Sequence, residues 1–172
     1  AERRLARVFG WHRRFCLWTH LGRGSLERPG LMLGLERGGS CHGVAFRLPA
    51  PTIATELDIV WRREMVTAAY TPTWVRLLTG AGPIRAVAFT INRRHERYAG
   101  RLDEAATVAA LAEAAGPLGT NREYLFNTVR HLDELGLPDR SLHRLAALVR
   151  GRVAAVEGEA APMPDGRPVT TS

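Results

Sequence analysis

Lysine is missing from the 172-residue chain, so all 24 lysine-or-arginine positions are arginine and the net charge of +7 rests on guanidinium groups. The clusters Arg13-Arg14, Arg62-Arg63 and Arg93-Arg94 are separated by apolar segments instead of forming a run or stripe, and no zinc-finger, helix-turn-helix or RNP signature accompanies them. This pattern argues against nucleic acid as the natural partner; the same positive field would steer a small anion. Cysteine is scarce. Cys16 and Cys41 form no CxxC pair and cannot build a disulfide framework, so both are expected as reduced core residues. No stretch approaches the roughly 18 apolar residues of a membrane span, and the opening Ala1-Glu2-Arg3-Arg4 lacks the apolar core of a signal peptide; the expectation is a cytoplasmic protein without a membrane partner. The six histidines make no HxxxH or HExxH pattern, and neither a GxxxxGK[ST] loop nor a GxGxxG fingerprint occurs, so metal, nucleotide and dinucleotide sites have no visible cradle.

What is present divides the chain in two. The first half reads as strands: Val8-Phe9, Phe15 to Trp18, Leu31 to Leu35, and the alternating Val44, Phe46 and Leu48, with Gly38-Gly39 as the expected turn between the last two. A helix interrupts them. Thr52 is its expected N-cap, and Ile53, Leu57, Val60 and Trp61 fall on one face at helical spacing. Two more strands, Trp74 to Leu78 and Ile84 to Ile91, flank the hairpin signal Gly80-Ala81-Gly82-Pro83. The second half turns helical: Leu102 to Ala115, then a helix opened by the capping box Thr120-Asn121-Arg122-Glu123, then one carrying Leu142, Leu145, Leu148, Val149 and Val153 after Pro138. This order predicts a single α+β domain over 1–156 with antiparallel pairing and a disordered tail over 157–172.

Glu64 is the residue that periodicity singles out. One turn beyond Val60 and Trp61, it projects near the centre of the apolar stripe. Two readings follow. Either the helix ends just before position 64 and the carboxylate is solvated or paired with an arginine, or Glu64 is a general base in a partly apolar pocket, where desolvation raises a carboxyl pKa. A nucleophilic Cys16 or Cys41 finds no local signature.

The blocks Gly10 to Trp18, Glu27-Arg28-Pro29-Gly30-Leu31 and Gly39 to Ala45 resemble the ChaC family of γ-glutamylcyclotransferases. The resemblance continues through Trp61-Arg62-Arg63-Glu64-Met65 with Tyr70, His95 with Tyr98-Ala99-Gly100, and Gly116 to Phe126, so that it covers about 8–150. It implies a mixed or antiparallel β-barrel with flanking helices and glutathione as substrate. It also implies cyclisation of the γ-glutamyl group to 5-oxoproline with release of Cys-Gly, and no metal or cofactor. The family's catalytic glutamate falls on Glu64. Arg63, Tyr70 and Tyr124 are the candidate substrate-binding residues, and Asn121 is expected to order the loop before the last helices. Family members begin with a strand leading into a Tyr-Gly-Ser-Leu loop whose amides hold the glutamyl group. This sequence is expected to lack both, since Gly24-Ser25-Leu26 lies downstream of where that loop belongs, and an incomplete pocket and an unpaired strand edge would follow. The expectation is therefore a glutathione-degrading monomer, weakened or inactive as a truncated chain. The alternatives are a non-catalytic ChaC-like protein linked to cation-transport regulation and, more remotely, an arginine-driven RNA binder.

Overall fold

Two long strands organise the fold. In a computed structural model, which describes residues 2–159, β1 (Glu2–Thr19) and β2 (Gly30–Arg47) pair antiparallel from Glu2↔Arg47 to Thr19↔Gly30. The separate short strands expected on either side of Gly38-Gly39 are thus one strand, and that dipeptide is no hairpin turn. Phe9 faces Ser40 and Trp11 faces Arg37, so two glycines at φ +107° and +62° stand opposite Gly10 at φ +79°. The extra residue is absorbed as a bulge, because β1 continues to supply the ladder on both sides of it. β1 and β2 are instead joined through residues 20–29.

The predicted hairpin is present, with longer arms: β3 (Tyr70–Thr79) and β4 (Gly82–Ile91) pair along their whole length. β3 pairs with β1 from Ala6↔Thr79 to Val8↔Leu77, and β4 meets β2 in parallel at Leu35↔Thr90. The result is a closed, mixed barrel in the order β1-β2-β4-β3.

Helix α1 (Ile53–Met65) starts after Thr52, whose hydroxyl donates to Glu56 Oε1 at 2.8 Å instead of accepting from the helix backbone. Its apolar face turns to the barrel but is not buried there. Ile53, Leu57 and Val60 line a cavity of about 840 Å³ together with Val8, Val44 and Val75, and Trp61, 43% exposed, meets Phe89 edge to face at 6.2 Å. The expected burial fails because the helix roofs an open space and has no filled layer beneath it.

The main core lies on the other side of the barrel. Phe15 and Leu31 of the strands pack with Leu111 of α2 (Glu104–Glu113), Leu125 of α3 (Asn121–Glu134) and Val149 of α4 (Arg140–Glu159). Two two-residue strands, β5 (Ala115–Gly116) and β6 (Gly119–Thr120), lead into α3. The capping box forms as expected: Glu123 N–H donates to Thr120 Oγ1 at 3.3 Å, and Thr120 N–H to Glu123 Oε2 at 2.9 Å. Asn121 reaches further than its own loop. Fully buried, it accepts from Leu31 N–H at 2.6 Å and donates to Leu31 O at 2.8 Å, fastening α3 to the start of β2. α4 continues through 157–159, where the disordered tail was expected to begin; the rest of that tail, 160–172, lies outside the described residues. No described helix is long and apolar enough to cross a membrane.

Replacing Asn121 by alanine orphans two buried backbone groups, each worth about 1–3 kcal/mol, so a loss of about 2–6 kcal/mol is expected in urea unfolding. The exposed cap variant Thr120→Ala should lose only about 1 kcal/mol. An Asn121→Ala loss no larger than that of Thr120→Ala would contradict the fastening role.

Candidate active site

Glu64 lies within the last turn of α1, which extends through Met65, so the reading in which the helix stops short of it is excluded. Its side chain is 26% exposed and meets Arg63 Nε at 3.6 Å, whereas the Arg63 side chain is 84% exposed. Only four residues separate the helix from β3. Ala68 adopts φ +53°, an unusual conformation for a residue with a Cβ, and its N–H donates to Met65 O at 3.1 Å. Asn92 stabilises this sharp reversal, donating from Nδ2 to Ala68 O at 3.0 Å and from its backbone N–H to Ala69 O at 2.9 Å. The reversal makes Tyr70, the first residue of β3, a neighbour of Glu64.

Tyr70 is half-buried, and its phenol is pushed up to about 12, first by burial and then by the neighbouring Tyr124, Glu64 and Cys16, against the opposing charge of Arg97. It is therefore a neutral hydrogen-bond donor at any physiological pH. Tyr124, in the first turns of α3, packs its ring edge-on against Phe15 at 5.7 Å and lies 5.9 Å from the Arg23 guanidinium; burial raises its phenol too. Three of the four expected site residues, Glu64, Tyr70 and Tyr124, thus form one neighbourhood. Arg63 touches it only through Glu64. Burial also pushes the Cys16 thiol up to about 11 and raises that of Cys41, which leaves neither as a ready thiolate nucleophile. The 840 Å³ cavity is lined by neither Glu64 nor Tyr70.

Behind the site is a cluster that the sequence reading missed. Glu36, with its side chain 4% exposed, accepts from Arg93 Nε at 2.7 Å, Tyr98 OH at 2.7 Å, Arg37 N–H at 2.9 Å and Arg14 Nη2 at 3.3 Å. Arg14 also donates to Gly100 O. Burial alone would push the Glu36 carboxyl up, but hydrogen bonds from Tyr98, Arg93 and Arg37 N–H, with the Arg93 charge, outweigh it and hold the group below the usual carboxylate range. The cluster pins residues 92–100 to the barrel. Further along this segment Trp18 N–H donates to Arg97 O at 2.8 Å, Ala99 N–H donates to Cys16 O at 2.9 Å, and Tyr98 bridges to Leu17. An acid at the end of the apolar run Leu31 to Leu35 was the available signal, but its partners are 57 and 62 residues away in sequence.

A family model described as ChaC-like protein matches residues 1–152. A curated protein of Escherichia coli (strain K12), the glutathione-specific gamma-glutamylcyclotransferase, is 42% identical over 148 residues, 86% of this chain and 64% of that protein; the chain thus spans less than two thirds of its length. Two crystal structures of a yeast gamma-glutamyl cyclotransferase specific to glutathione superimpose with TM-scores of 0.77 and 0.74 at 18% and 19% identity. Each superposition covers 88% of this chain, and 88% and 91% of the respective yeast chains. At that identity they show the shared fold, the barrel with flanking helices expected from the sequence.

Glu36→Gln keeps the shape but leaves two arginines facing a neutral amide. Because the Arg93 and Arg14 side chains are 50% and 26% exposed and can turn to water, the loss expected in denaturant unfolding is about 1–3 kcal/mol, that of unpairing a hydrogen-bonded group. Because the Glu36 carboxyl lies below 4.5 in the folded chain, its stabilisation is complete above pH 4.5 and is lost as pH falls through the folded value. The Gln variant should flatten that acid limb of the stability profile; an unchanged limb would show that Glu36 does not set it.

Proposed function

The chain belongs to the ChaC-like protein family, and on that footing we propose that it is a glutathione-specific γ-glutamylcyclotransferase, a lyase, with Glu64 as its general base and acid. The observation that carries the reading is the Glu64 carboxylate, half-buried at the end of α1 beside a phenol held neutral, in a chain 42% identical to the Escherichia coli enzyme.

The reaction is intramolecular. Glu64 takes a proton from the α-ammonium of the γ-glutamyl group, and the freed amine attacks the γ-carbonyl carbon to form the C–N bond of a five-membered lactam. The tetrahedral centre collapses as the bond to the cysteinyl nitrogen breaks. Glu64 returns its proton to that nitrogen, the ring nitrogen sheds its excess proton to solvent, and 5-oxoproline and Cys-Gly leave. No water is consumed. Tyr70, neutral and half-buried, donates a hydrogen bond to the oxyanion that develops on the γ-carbonyl oxygen, an interaction that strengthens as charge forms. Tyr124 shapes the wall beside it. Holding the amine against its own carbonyl supplies much of the acceleration, because the reacting atoms already belong to one molecule. The two free cysteines, with thiols that burial keeps protonated, suit a reducing cytoplasm, and the reading is of a monomer acting on a small molecule with no nucleic-acid partner.

Glu64→Gln preserves shape and removes the base, so 5-oxoproline release from glutathione should fall by about 10²–10⁴ in kcat while glutathione affinity changes by no more than a few-fold. Undiminished turnover would reject the assignment. Glutathione binding without product in the parent chain would instead favour a non-catalytic family member.

A further inference from the structure

Five arginines of the described chain are half-buried: Arg13, Arg14, Arg23, Arg97 and Arg122. Four have a carboxylate within ion-pair reach, at Asp139, Glu36, Glu123 and Glu157 respectively. Arg97 has none among the described residues, and its guanidinium makes no hydrogen bond there. Partial desolvation of a guanidinium without a counter-charge is costly, so an unpaired half-buried arginine is a site awaiting an anion.

Its location says which anion. Arg97 lies in the segment that leaves β4 at Ile91, the register partner of Tyr70, and Asn92 is bonded to the Ala68-Ala69 reversal just before Tyr70. The next residue, Tyr98, packs in the same cluster as Tyr70, Cys16 and Leu17. Glu64 sits on α1 and Arg97 on a segment bonded to Trp18 of β1; both charges bear on the Tyr70 phenol, that of Arg97 the more weakly. The segment is held at both ends. Arg93 and Tyr98 each donate to Glu36 at 2.7 Å, and Arg14 ties Gly100, so the backbone that carries Arg97 is fixed while its side chain is left free to meet a ligand.

We propose that Arg97 is a specificity-determining residue that pairs with the glycine carboxylate of glutathione, while Glu64 works on the γ-glutamyl end. This rests on the reading of the site as a glutathione cyclotransferase. The α-carboxylate of the substrate is attached to the carbon that bears the reacting amine and so stays at the Glu64 end, beside Arg63. The glycine carboxylate lies about two extended residues beyond the scissile bond, roughly 7 Å, and requires a cation on a separate element. Arg97 meets that requirement; Arg23 is less free, with Nη1 on Thr120 O at 3.2 Å and Glu123 at 3.8 Å. A γ-glutamyl amine without a terminal carboxylate leaves Arg97 unpaired and is discriminated against on that ground.

The test is calorimetric titration of glutathione and of its C-terminal glycinamide, which lacks the distal charge, into the Glu64→Gln chain with Arg97 intact, Arg97→Gln or Arg97→Lys. Arg97→Gln should weaken glutathione binding about 10-fold or more and the glycinamide less than about 2-fold, with Arg97→Lys between them for glutathione. Equal weakening of both ligands, no weakening of either, or no glutathione binding when Arg97 is intact overturns the proposal. 5-Oxoproline release by the parent chain is scored separately. Release with an Arg97-independent preference sinks the carboxylate site and leaves the cyclotransferase reading standing; an Arg97-dependent preference without release keeps the site and sinks the reaction.

Discussion

A carboxylate buried to 4% exposure has to be matched, and the way Glu36 is matched governs much of what surrounds the site. Two guanidinium groups, a phenol and a backbone N–H converge on it from β1, β2 and the segment after β4. A buried ion pair is not, by itself, strong evidence of net stability, since desolvation consumes most of the Coulomb gain. What the cluster provides is definition: Arg14, Arg93 and Tyr98 together satisfy the acid and thereby tie the irregular residues 92–100 to the barrel. The same segment, through Asn92, braces the reversal that brings Tyr70 to Glu64. The site is therefore built on a segment without regular secondary structure whose position is fixed by a buried charge.

Helix α1 serves two environments. Its first turns face the largely apolar 840 Å³ cavity through Ile53, Leu57 and Val60, while its last turn carries Glu64 towards Tyr70. Aliphatic side chains dominate that cavity, although Arg4, Arg13, Arg47 and Arg85 also reach it. The end of α1 instead brings a half-buried carboxylate, Glu64, towards the Tyr70 phenol, which burial keeps neutral.

The sequence was most legible where local signals acted alone. The capping box at Thr120 and Glu123, the β3–β4 hairpin at Gly80-Ala81 and the helix after Thr52 depend on residues within a few positions of one another, and all are present. Gly38-Gly39 was misread as a turn because a glycine pair signals φ > 0 equally well in a hairpin and in a bulge, and only the opposing Gly10 on β1 separates the two. The α1 stripe placed Glu64 on the inward face but overstated burial, since periodicity gives the face a helix turns inward and not how much packs against it. The Glu36 cluster and the unpaired Arg97 were out of reach. The first depends on Arg93 and Tyr98, 57 and 62 residues from Glu36, and the second is defined by a partner it lacks.

The central claim is that the substrate binds at the end of α1, between Glu64 and Arg97, and not in the apolar cavity under the same helix. A crystal structure of the Glu64→Gln chain soaked with glutathione tests it most directly. The account predicts the γ-glutamyl amine within hydrogen-bond reach of the residue 64 side chain, the γ-carbonyl oxygen on the Tyr70 hydroxyl and the glycine carboxylate on Arg97. Glutathione seated instead among Ile53, Leu57 and Val75, or bound with its glutamyl end away from residue 64, would contradict it.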